Sequence, residues 1–232
     1  MSKRSIFFNP LYLCERALEK AVSATLIELS ISKGNRWLDV GCGTRPYEKY
    51  FPVGTYTGVD VMDSGRDTNL KCPDFYYDGE ALPFPDDSFD GVLSTQVLEH
   101  VRHPESFIKE LARVLKPNGH IVITIPFVWQ EHEIPYDFTR KTEFGMCALL
   151  EDEGFLGINV KKLNGFFESS ALLLNAYVVN NLVPPIKGAG TILVLLVCFP
   201  VQIIGYLIQR ILPDKKYFYL NLMVSARKYS NK

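Results

Sequence analysis

Glycines and carboxylates that could hold a nucleoside follow three apolar runs. Gly41, Cys42 and Gly43 come directly after the first run, and glycines let a ligand lie against bare backbone. Asp60 ends the second run, at the place where a carboxylate accepts hydrogen bonds from both hydroxyls of a ribose. Asp78 ends the third run and could accept a hydrogen bond from an adenine amino group. Together these positions predict a nucleoside site.

A second polar group, the segment EHEIPYDFTR at 131–140, follows the fifth predicted strand and would overhang the bound nucleoside. His132 is the best candidate for a general base, because the unperturbed pKa of histidine is about 6.5. Asp137 could orient His132, and Arg140 could bind an anionic group of an acceptor. Alternatively, Asp137 and Arg140 form a local ion pair that shapes the turn.

The elements that must position these residues alternate between strands and helices. Strands are predicted at 37–40, 56–59, 75–77, 89–93, 120–125, 157–163 and 217–226. Helices are predicted at 9–31, from Gln96, at 104–115 and at 141–153. This alternation predicts a parallel sheet with helices on both faces, in which ligands bind beyond the carboxyl ends of the strands.

Length and composition limit the class of protein. The 232 residues fit a single domain (1–232). The net charge is −1 and no run of Lys and Arg is longer than two residues, which argues against nucleic acid as a partner. The five cysteines are scattered without CxxC pairs or histidines at metal-ligand spacing, so we expect reduced thiols and no metal site. The first 13 residues lack an apolar core of signal-peptide length, so we expect a cytoplasmic protein.

The segment 37–127 resembles a class I S-adenosylmethionine (SAM) dependent methyltransferase of the type 11 family. The matching blocks are LDVGCGTRPY (38–47), YTGVD (56–60), DGEALPFPDDSFDGVLSTQVLEHV (78–101) and ELARVLKPNGHIVITIPF (110–127). The resemblance implies a Rossmann-like, doubly wound α/β fold with a mostly parallel seven-stranded sheet in the order 3-2-1-4-5-7-6. It also implies SAM as cofactor and S-adenosylhomocysteine as product.

The same resemblance implies which residues touch the cofactor. The glycine loop approaches the methionine moiety, Asp60 the ribose, Asp78 with Gly79 the adenine, and residues 94–96 the methionine near the sulfonium. The predicted cofactor-binding residues are thus Gly41, Cys42, Gly43, Asp60, Val61, Asp78, Gly79, Ser94, Thr95 and Gln96. Structural roles are predicted for Asp39, Glu99 and His100. The PYDFTR block (135–140) and the Arg45-Pro46-Tyr47 continuation also resemble type 11 members of surface-polysaccharide pathways.

A long apolar segment, predicted as a helical insertion at 166–212, precedes the last strand. Residues 188–209 carry no charge and would form a helix of roughly 33 Å, enough to cross a bilayer core of about 30 Å. Because the flanking strands belong to one sheet, the segment must cross a membrane twice or not at all. We expect an interfacial or re-entrant hairpin in the cytosolic leaflet; the alternatives are a buried lid, a homodimer core and a two-helix span. Five basic residues flank it: Lys161, Lys162, Arg210, Lys215 and Lys216.

The sequence therefore predicts O-methylation of a lipid-linked saccharide or a similar amphipathic acceptor at the cytosolic membrane face. Alternatives are an isoprenoid-quinone methyltransferase and a SAM-binding membrane adaptor without catalysis. A nicotinamide oxidoreductase is disfavoured, because Pro46 stands where a dinucleotide fingerprint has its third glycine.

Overall fold

The computed structural model describes residues 9–63, 72–184 and 188–229. Within the predicted break at 184–188, residues 185–187 lie outside the described residues. The chain groups into two compact units, Lys162–Asn221 with the chain before Ala21, and Ala21–Lys161 with the chain after Asn221. A single domain over 1–232 stays a prediction.

Strands and helices alternate through the described chain. The strands are β1 (Trp37–Val40), β2 (Tyr56–Val61), β3 (Phe75–Tyr77), β4 (Phe89–Thr95), β5 (Leu115–Pro126), β6 (Phe155–Leu163) and β7 (Asn221–Lys228). The helices are α1 (Tyr12–Glu28), α2 (Pro104–Val114), α3 (Glu143–Asp152), α4 (Phe166–Leu182), α5 (Ala189–Leu193) and α6 (Phe199–Ile211). A π-helical turn at Val194–Cys198 joins α5 to α6, and short 3-10 turns lie at Glu48–Tyr50 and Leu98–His100.

The seven strands form one mixed sheet in the order β3-β2-β1-β4-β5-β7-β6, which confirms the predicted fold class and strand order. Strand β1 pairs in parallel with β2 and β4, and the same direction continues to β3 and β5. The carboxyl ends of these five strands therefore meet at one edge of the sheet. That edge carries the predicted site.

The core under this edge is built from the two central strands and α2. Strands β4 and β5 are buried along most of their length, as expected for strands covered on both faces. Helix α2 buries Phe107, Ile108 and Leu111, whose spacing of three and four residues forms one apolar stripe. Gly91 in β4 lets the Trp37 ring pack on the strand, because a Cβ there would lie 2.3 Å from the indole.

The helix predicted from Gln96 is wrong. Gln96 has a left-handed backbone with φ of 55°, and the chain makes only the 3-10 turn Leu98–His100 before α2. Left-handed residues do not continue into a right-handed helix, so the strand end turns sharply instead. This turn places His100 at the carboxyl edge of the sheet.

Several element boundaries also differ from those predicted. Strand β2 continues through Val61, β5 begins directly at Leu115 where α2 ends, and β6 begins at Phe155. Strand β7 begins at Asn221 and not at 217, although the preceding Tyr219 and Leu220 are buried. Helix α1 ends at Glu28, because Ser30 adopts a left-handed conformation with φ of 50°.

The apolar segment forms α4 and a second helix that runs continuously over Ala189–Ile211. Among the described residues, this 23-residue helix is the one that is long and apolar enough to cross a membrane by length and composition, with a mean hydropathy of 2.4. Pro200 lies just after the π-helical turn, where the widened backbone accommodates a residue that lacks an N–H donor.

Candidate active site

The glycine loop after β1 is shaped so that backbone faces a cavity. Gly41 has φ of 75°, and a Cβ there would lie 2.3 Å from a methyl group of Val97, so a side chain does not fit. Gly43 also has positive φ, but nothing lies within 4 Å of its missing Cβ. The N–H groups of Gly41 and Cys42 donate to the carbonyl of Val59, which fixes the loop on β2.

Asp60 connects this loop to the neighbouring strand end. Its Oδ2 accepts the N–H of Gly43 at 2.8 Å, and its Oδ1 accepts the N–H of Val61 at 2.8 Å. The side chain is buried yet lines the cavity. A carboxylate has about four lone-pair positions, so it can accept several hydrogen bonds at once, including bonds from ribose hydroxyls.

The Asp78–Gly79 turn forms the third side of the predicted nucleoside site. Asp78 Oδ1 accepts the N–H groups of Ala81 at 2.9 Å and Glu80 at 2.8 Å, and these bonds lower the pKa of the carboxyl group. Gly79 has φ of 90°. Both residues line the cavity, as do Val61 and Tyr77.

Some predicted cofactor residues point away from the cavity. Ser94 is fully buried, and its hydroxyl donates to the carbonyl of Val40 at 3.2 Å. Cys42 is buried against Gly58, where a Cβ would lie 2.8 Å from its sulfur. Of residues 94–96, the cavity lining in the described chain includes only Gln96, whose side-chain amide donates to the Thr124 hydroxyl at 3.1 Å.

The cavity holds about 650 Å³, within the usual size of small-molecule sites. One side is the cofactor edge just described. The other side consists of side chains that follow β4 and β5; the sequence predicted the 131–140 loop there, but not the residues that follow β4. These residues are Val97, His100, Val101, Arg102, His103, Ser106, Phe107, Glu133 and Tyr136, with Asp63 and Glu80 at the cofactor end.

The predicted catalytic residues His132, Asp137 and Arg140 form one hydrogen-bonded cluster. The buried Asp137 carboxylate accepts from the backbone N–H of His132 at 3.0 Å and lies 3.1 Å from its Nδ1. Arg140 donates to both oxygens of Asp137, and this guanidinium lowers the pKa of Asp137 to about 2. Arg140 and Asp137 thus form the local ion pair that the sequence analysis gives as an alternative to acceptor binding. None of the three belongs to the cavity lining within the described residues.

His100 lies between this cluster and the cavity. Its ring packs edge to face on His132, with centroids 4.7 Å apart, and its Nδ1 lies 2.7 Å from the carbonyl of Tyr136. The carbonyl of Glu99 accepts the N–H groups of Phe138 and Thr139, which fixes the 131–140 loop on the turn after β4. Sequence reasoning assigned His100 a structural role; the fold places it on the cavity wall.

Asp39 supports the glycine loop from below and gives a testable pH dependence. Its carboxylate is 1% exposed and accepts the hydroxyl of Tyr56; burial raises its pKa to about 7 against the opposing effect of that bond. Between about pH 4 and pH 7 the unfolded chain releases this proton more readily than the folded chain, so rising pH favours unfolding.

We therefore expect wild-type protein to lose on the order of 2 kcal/mol of stability between about pH 5 and pH 8, relative to Asp39→Asn. The asparagine keeps an acceptor for Tyr56 but does not titrate. Urea unfolding of both proteins across this range measures the difference. If the unfolding free energies of the two proteins change in parallel with pH, Asp39 is not the cause of the pH dependence.

Comparisons with known proteins agree with this geometry. Residues 38–123 match the family model of the methyltransferase domain. The ubiquinone/menaquinone biosynthesis C-methyltransferase UbiE of Burkholderia mallei is 32% identical, over 54% of this chain and 58% of that protein. This chain therefore spans little more than half the length of the curated relatives that it matches.

Solved structures share the fold. Phosphoethanolamine N-methyltransferase 2 of Haemonchus contortus, in complex with S-adenosylhomocysteine, aligns with a TM-score of 0.57 at 16% identity, over 90% of this chain and 53% of that chain. A SAM-dependent methyltransferase from Archaeoglobus fulgidus aligns with a TM-score of 0.56 at 19% identity, over 90% and 94%.

The chain thus has the class I SAM-dependent methyltransferase fold. Residues 38–123 match the model of a methyltransferase domain, a type of domain whose cofactor is S-adenosylmethionine.

Proposed function

We propose that the chain transfers a methyl group from SAM to a hydroxyl group of an amphipathic acceptor held at a membrane. The main support for methyl transfer is the hydrogen bond between Gly43 and Asp60, which joins two strand ends at the wall of a cavity. Methyl transfer is an in-line displacement that requires an oriented nucleophile and excluded water. A cavity with a cofactor side and a polar acceptor side fits this requirement.

The acceptor side has the polar groups that a hydroxyl acceptor needs. His100, Glu133 and Tyr136 line it, and the predicted His132–Asp137–Arg140 cluster lies directly behind His100. In this proposal Asp137 orients the His132 ring, Arg140 fixes Asp137, and the acceptor gives up its proton toward this cluster.

Arg140→Ala is expected to lower turnover about 10- to 100-fold, because the buried Asp137 loses its bidentate partner and no longer fixes His132. The effect should fall on kcat for charged and uncharged acceptors alike. A rise in KM confined to anionic acceptors would instead assign Arg140 to direct acceptor binding. Steady-state kinetics with both acceptor types distinguish the two roles.

The membrane part of the proposal is supported by the outward face of the 189–211 helix. Only 22% of its most apolar stretch is buried, whereas the core helix of a soluble protein would be mostly buried. Its exposed large side chains fall on one face, since they recur at helical spacing: Ile192, Leu196, Ile204, Leu207 and Ile211. An apolar patch of this kind marks an interaction surface.

The inward face of the same helix includes buried polar and small residues besides the apolar Val194 and Cys198. Gln202 is fully buried; its amide donates to the carbonyl of Asn9 and accepts from the N–H of Leu13. Asn175 of α4 donates to the carbonyl of Cys198 at 3.1 Å. Gly205 allows close approach to Ala171, because a Cβ there would lie 2.7 Å away. Polar groups inside and apolar groups outside are the pattern of helices that pack in lipid.

Basic residues support placement at an anionic surface. Lys162, Arg210, Lys215 and Lys216 lie near the ends of the helical segment, and Lys161 precedes them. We therefore propose a peripheral or monotopic location on the cytosolic face of the cell membrane. An acceptor such as a lipid-linked saccharide would present its hydroxyl group there.

A second candidate is C-methylation of an isoprenoid quinone. The observation that favours it is the 32% identity with the UbiE quinone methyltransferase. Such a substrate has an apolar tail and would use the same exposed helix face.

Labelled SAM and purified protein in detergent separate these candidates. We expect label in the saccharide part of lipid-linked glycans, with the methyl group on oxygen. Label on a ring carbon of an isoprenoid-quinone precursor would favour the second candidate. SAM binding without methyl transfer to glycans or quinones would favour the hypothesis of a SAM-binding membrane adaptor without catalysis.

A further inference from the structure

Two of the four histidines of the chain meet behind the cavity wall, next to a buried glutamate. The ligand-capable atoms of Glu99, His100 and His132 all lie within 4.8 Å of one another. The Glu99 side chain is fully buried. No metal site was predicted from the sequence, because His132 lies 32 residues beyond His100 and only the fold brings them together.

Each imidazole has its Nδ1 held by an oxygen acceptor. The carbonyl of Tyr136 lies 2.7 Å from Nδ1 of His100, and Oδ2 of Asp137 lies 3.1 Å from Nδ1 of His132. Since both oxygens accept, we assign the ring proton of each neutral imidazole to Nδ1, and this leaves Nε2 as the atom that can bind a metal ion. Metal-binding histidines almost always donate their other ring N–H to a carbonyl or carboxylate in this way.

The carboxylates have the spacing of ligands around one ion. Nε2 of His100 lies 3.8 Å from Oε1 of Glu99 and 3.7 Å from Oε2 of Glu133. These distances exceed a hydrogen bond. With metal–ligand bonds of about 2.1 Å, however, atoms that share one ion lie roughly 3 to 4 Å apart.

We propose that Glu99, His100 and His132 bind a divalent transition-metal ion, with Zn²⁺ the best match, and that Glu133 lies beside this ion on the cavity side. Two histidines and one glutamate form a ligand set of catalytic zinc sites, which keep one position open for water or substrate. Because His100 and Glu133 line the cavity, the open position faces the acceptor.

The role of this ion rests on the proposed methyl transfer. A metal-bound hydroxyl group has a lowered pKa, so the acceptor loses its proton to water or to Glu133. The acceptor oxygen then forms a bond to the methyl carbon while the carbon–sulfur bond breaks and its electron pair stays on sulfur. In the proposed site His132 is a metal ligand, whereas the sequence analysis predicts it as the general base.

Metal binding by the purified, metal-depleted chain tests the inference directly. The titrants are Zn²⁺, and Co²⁺ as a spectroscopic probe of coordination geometry, in a Cys72→Ser background that removes an exposed thiol. We expect one ion per chain, a rise in Tm on binding, and at least a 100-fold weaker affinity in His132→Ala and in His100→Ala. His103→Ala is the matched control, because His103 lines the same cavity outside the cluster, and it should keep wild-type affinity.

Two outcomes would overturn the proposal: no stoichiometric binding to a folded wild type, or equal losses in His103→Ala and His132→Ala. Because His132 is partly exposed, its variant should fold, and far-UV circular dichroism checks this. The binding measurement needs neither SAM nor acceptor. Methyl transfer that persists without any metal binding would refute the site alone, whereas metal binding without binding of S-adenosylhomocysteine would refute the proposed function.

Discussion

Asp60→Ala is expected to weaken binding of S-adenosylhomocysteine by at least about 100-fold. A hydrogen bond to a charged carboxylate contributes about 1.5 to 3 kcal/mol, and the bonds from two ribose hydroxyls would be lost together. The N–H of Gly43 also loses its acceptor, so the glycine loop is no longer fixed at the cavity edge. Calorimetric titration of both proteins measures the change.

Two variants separate ribose binding from general disruption. Asp60→Asn keeps an oxygen for Gly43 and should bind with intermediate affinity, about 10-fold weaker than wild type. Asp86→Ala removes an exposed carboxylate outside the cavity lining and should bind like wild type. Unchanged affinity in Asp60→Ala would show that Asp60 serves only the loop. No binding to wild type would mean that this chain does not use the cofactor of its domain type.

The cofactor side of the site was predictable because its signals are local. Gly41 and Gly43 indicate a left-handed backbone, which favours glycine, and Asp60 indicates a strand end; each signal lies within a few residues. Ser94 illustrates the limit of this reasoning. Ser94 still belongs to the buried strand β4, whereas Gln96 lies just beyond the strand end with a left-handed backbone. Closeness in sequence to Gln96 therefore did not place Ser94 on the cavity.

Of the acceptor side, only the presence of the 131–140 loop was predictable, because the contacts that assemble this side join distant parts of the chain. The ring of His100 is held by the carbonyl of Tyr136, 36 residues later. The 131–140 loop is held by hydrogen bonds to the carbonyl of Glu99. Motif reasoning identified His132, Asp137 and Arg140 as a group but could not place them behind His100. Long-range contacts of this kind leave no periodic signal in a sequence.

The apolar segment was predictable as helix but not in its orientation. Composition gives length and hydropathy, whereas the side that faces water depends on packing against α4 and the start of the chain. Gln202 and Asn175 are polar residues within this apolar segment, yet both are fully buried and make hydrogen bonds inside the unit. The exposed face is therefore the apolar one, and this leads to the strongest test of the membrane proposal.

Replacing Leu196, Ile204 and Leu207 with glutamine is expected to move the protein from the membrane fraction to the soluble fraction. These side chains are 72%, 56% and 51% exposed, so their replacement by a residue of similar size removes little packing in the folded chain. Inserting one such side chain into lipid contributes about 1.5 kcal/mol or more, and three together give at least a 1,000-fold change in partitioning. Vesicle flotation with anionic lipids measures it.

The matched control replaces Val53, Phe144 and Leu156 with glutamine, because these exposed apolar residues lie outside the helical segment. Its partitioning should equal that of wild type. The alternatives give different results: if the exposed face joins two copies of the chain, the wild type is a soluble dimer that the 189–211 variant converts to a monomer. A wild type that is soluble and monomeric without detergent would refute the membrane proposal, because an exposed lipid-binding face of this size cannot stay in water alone.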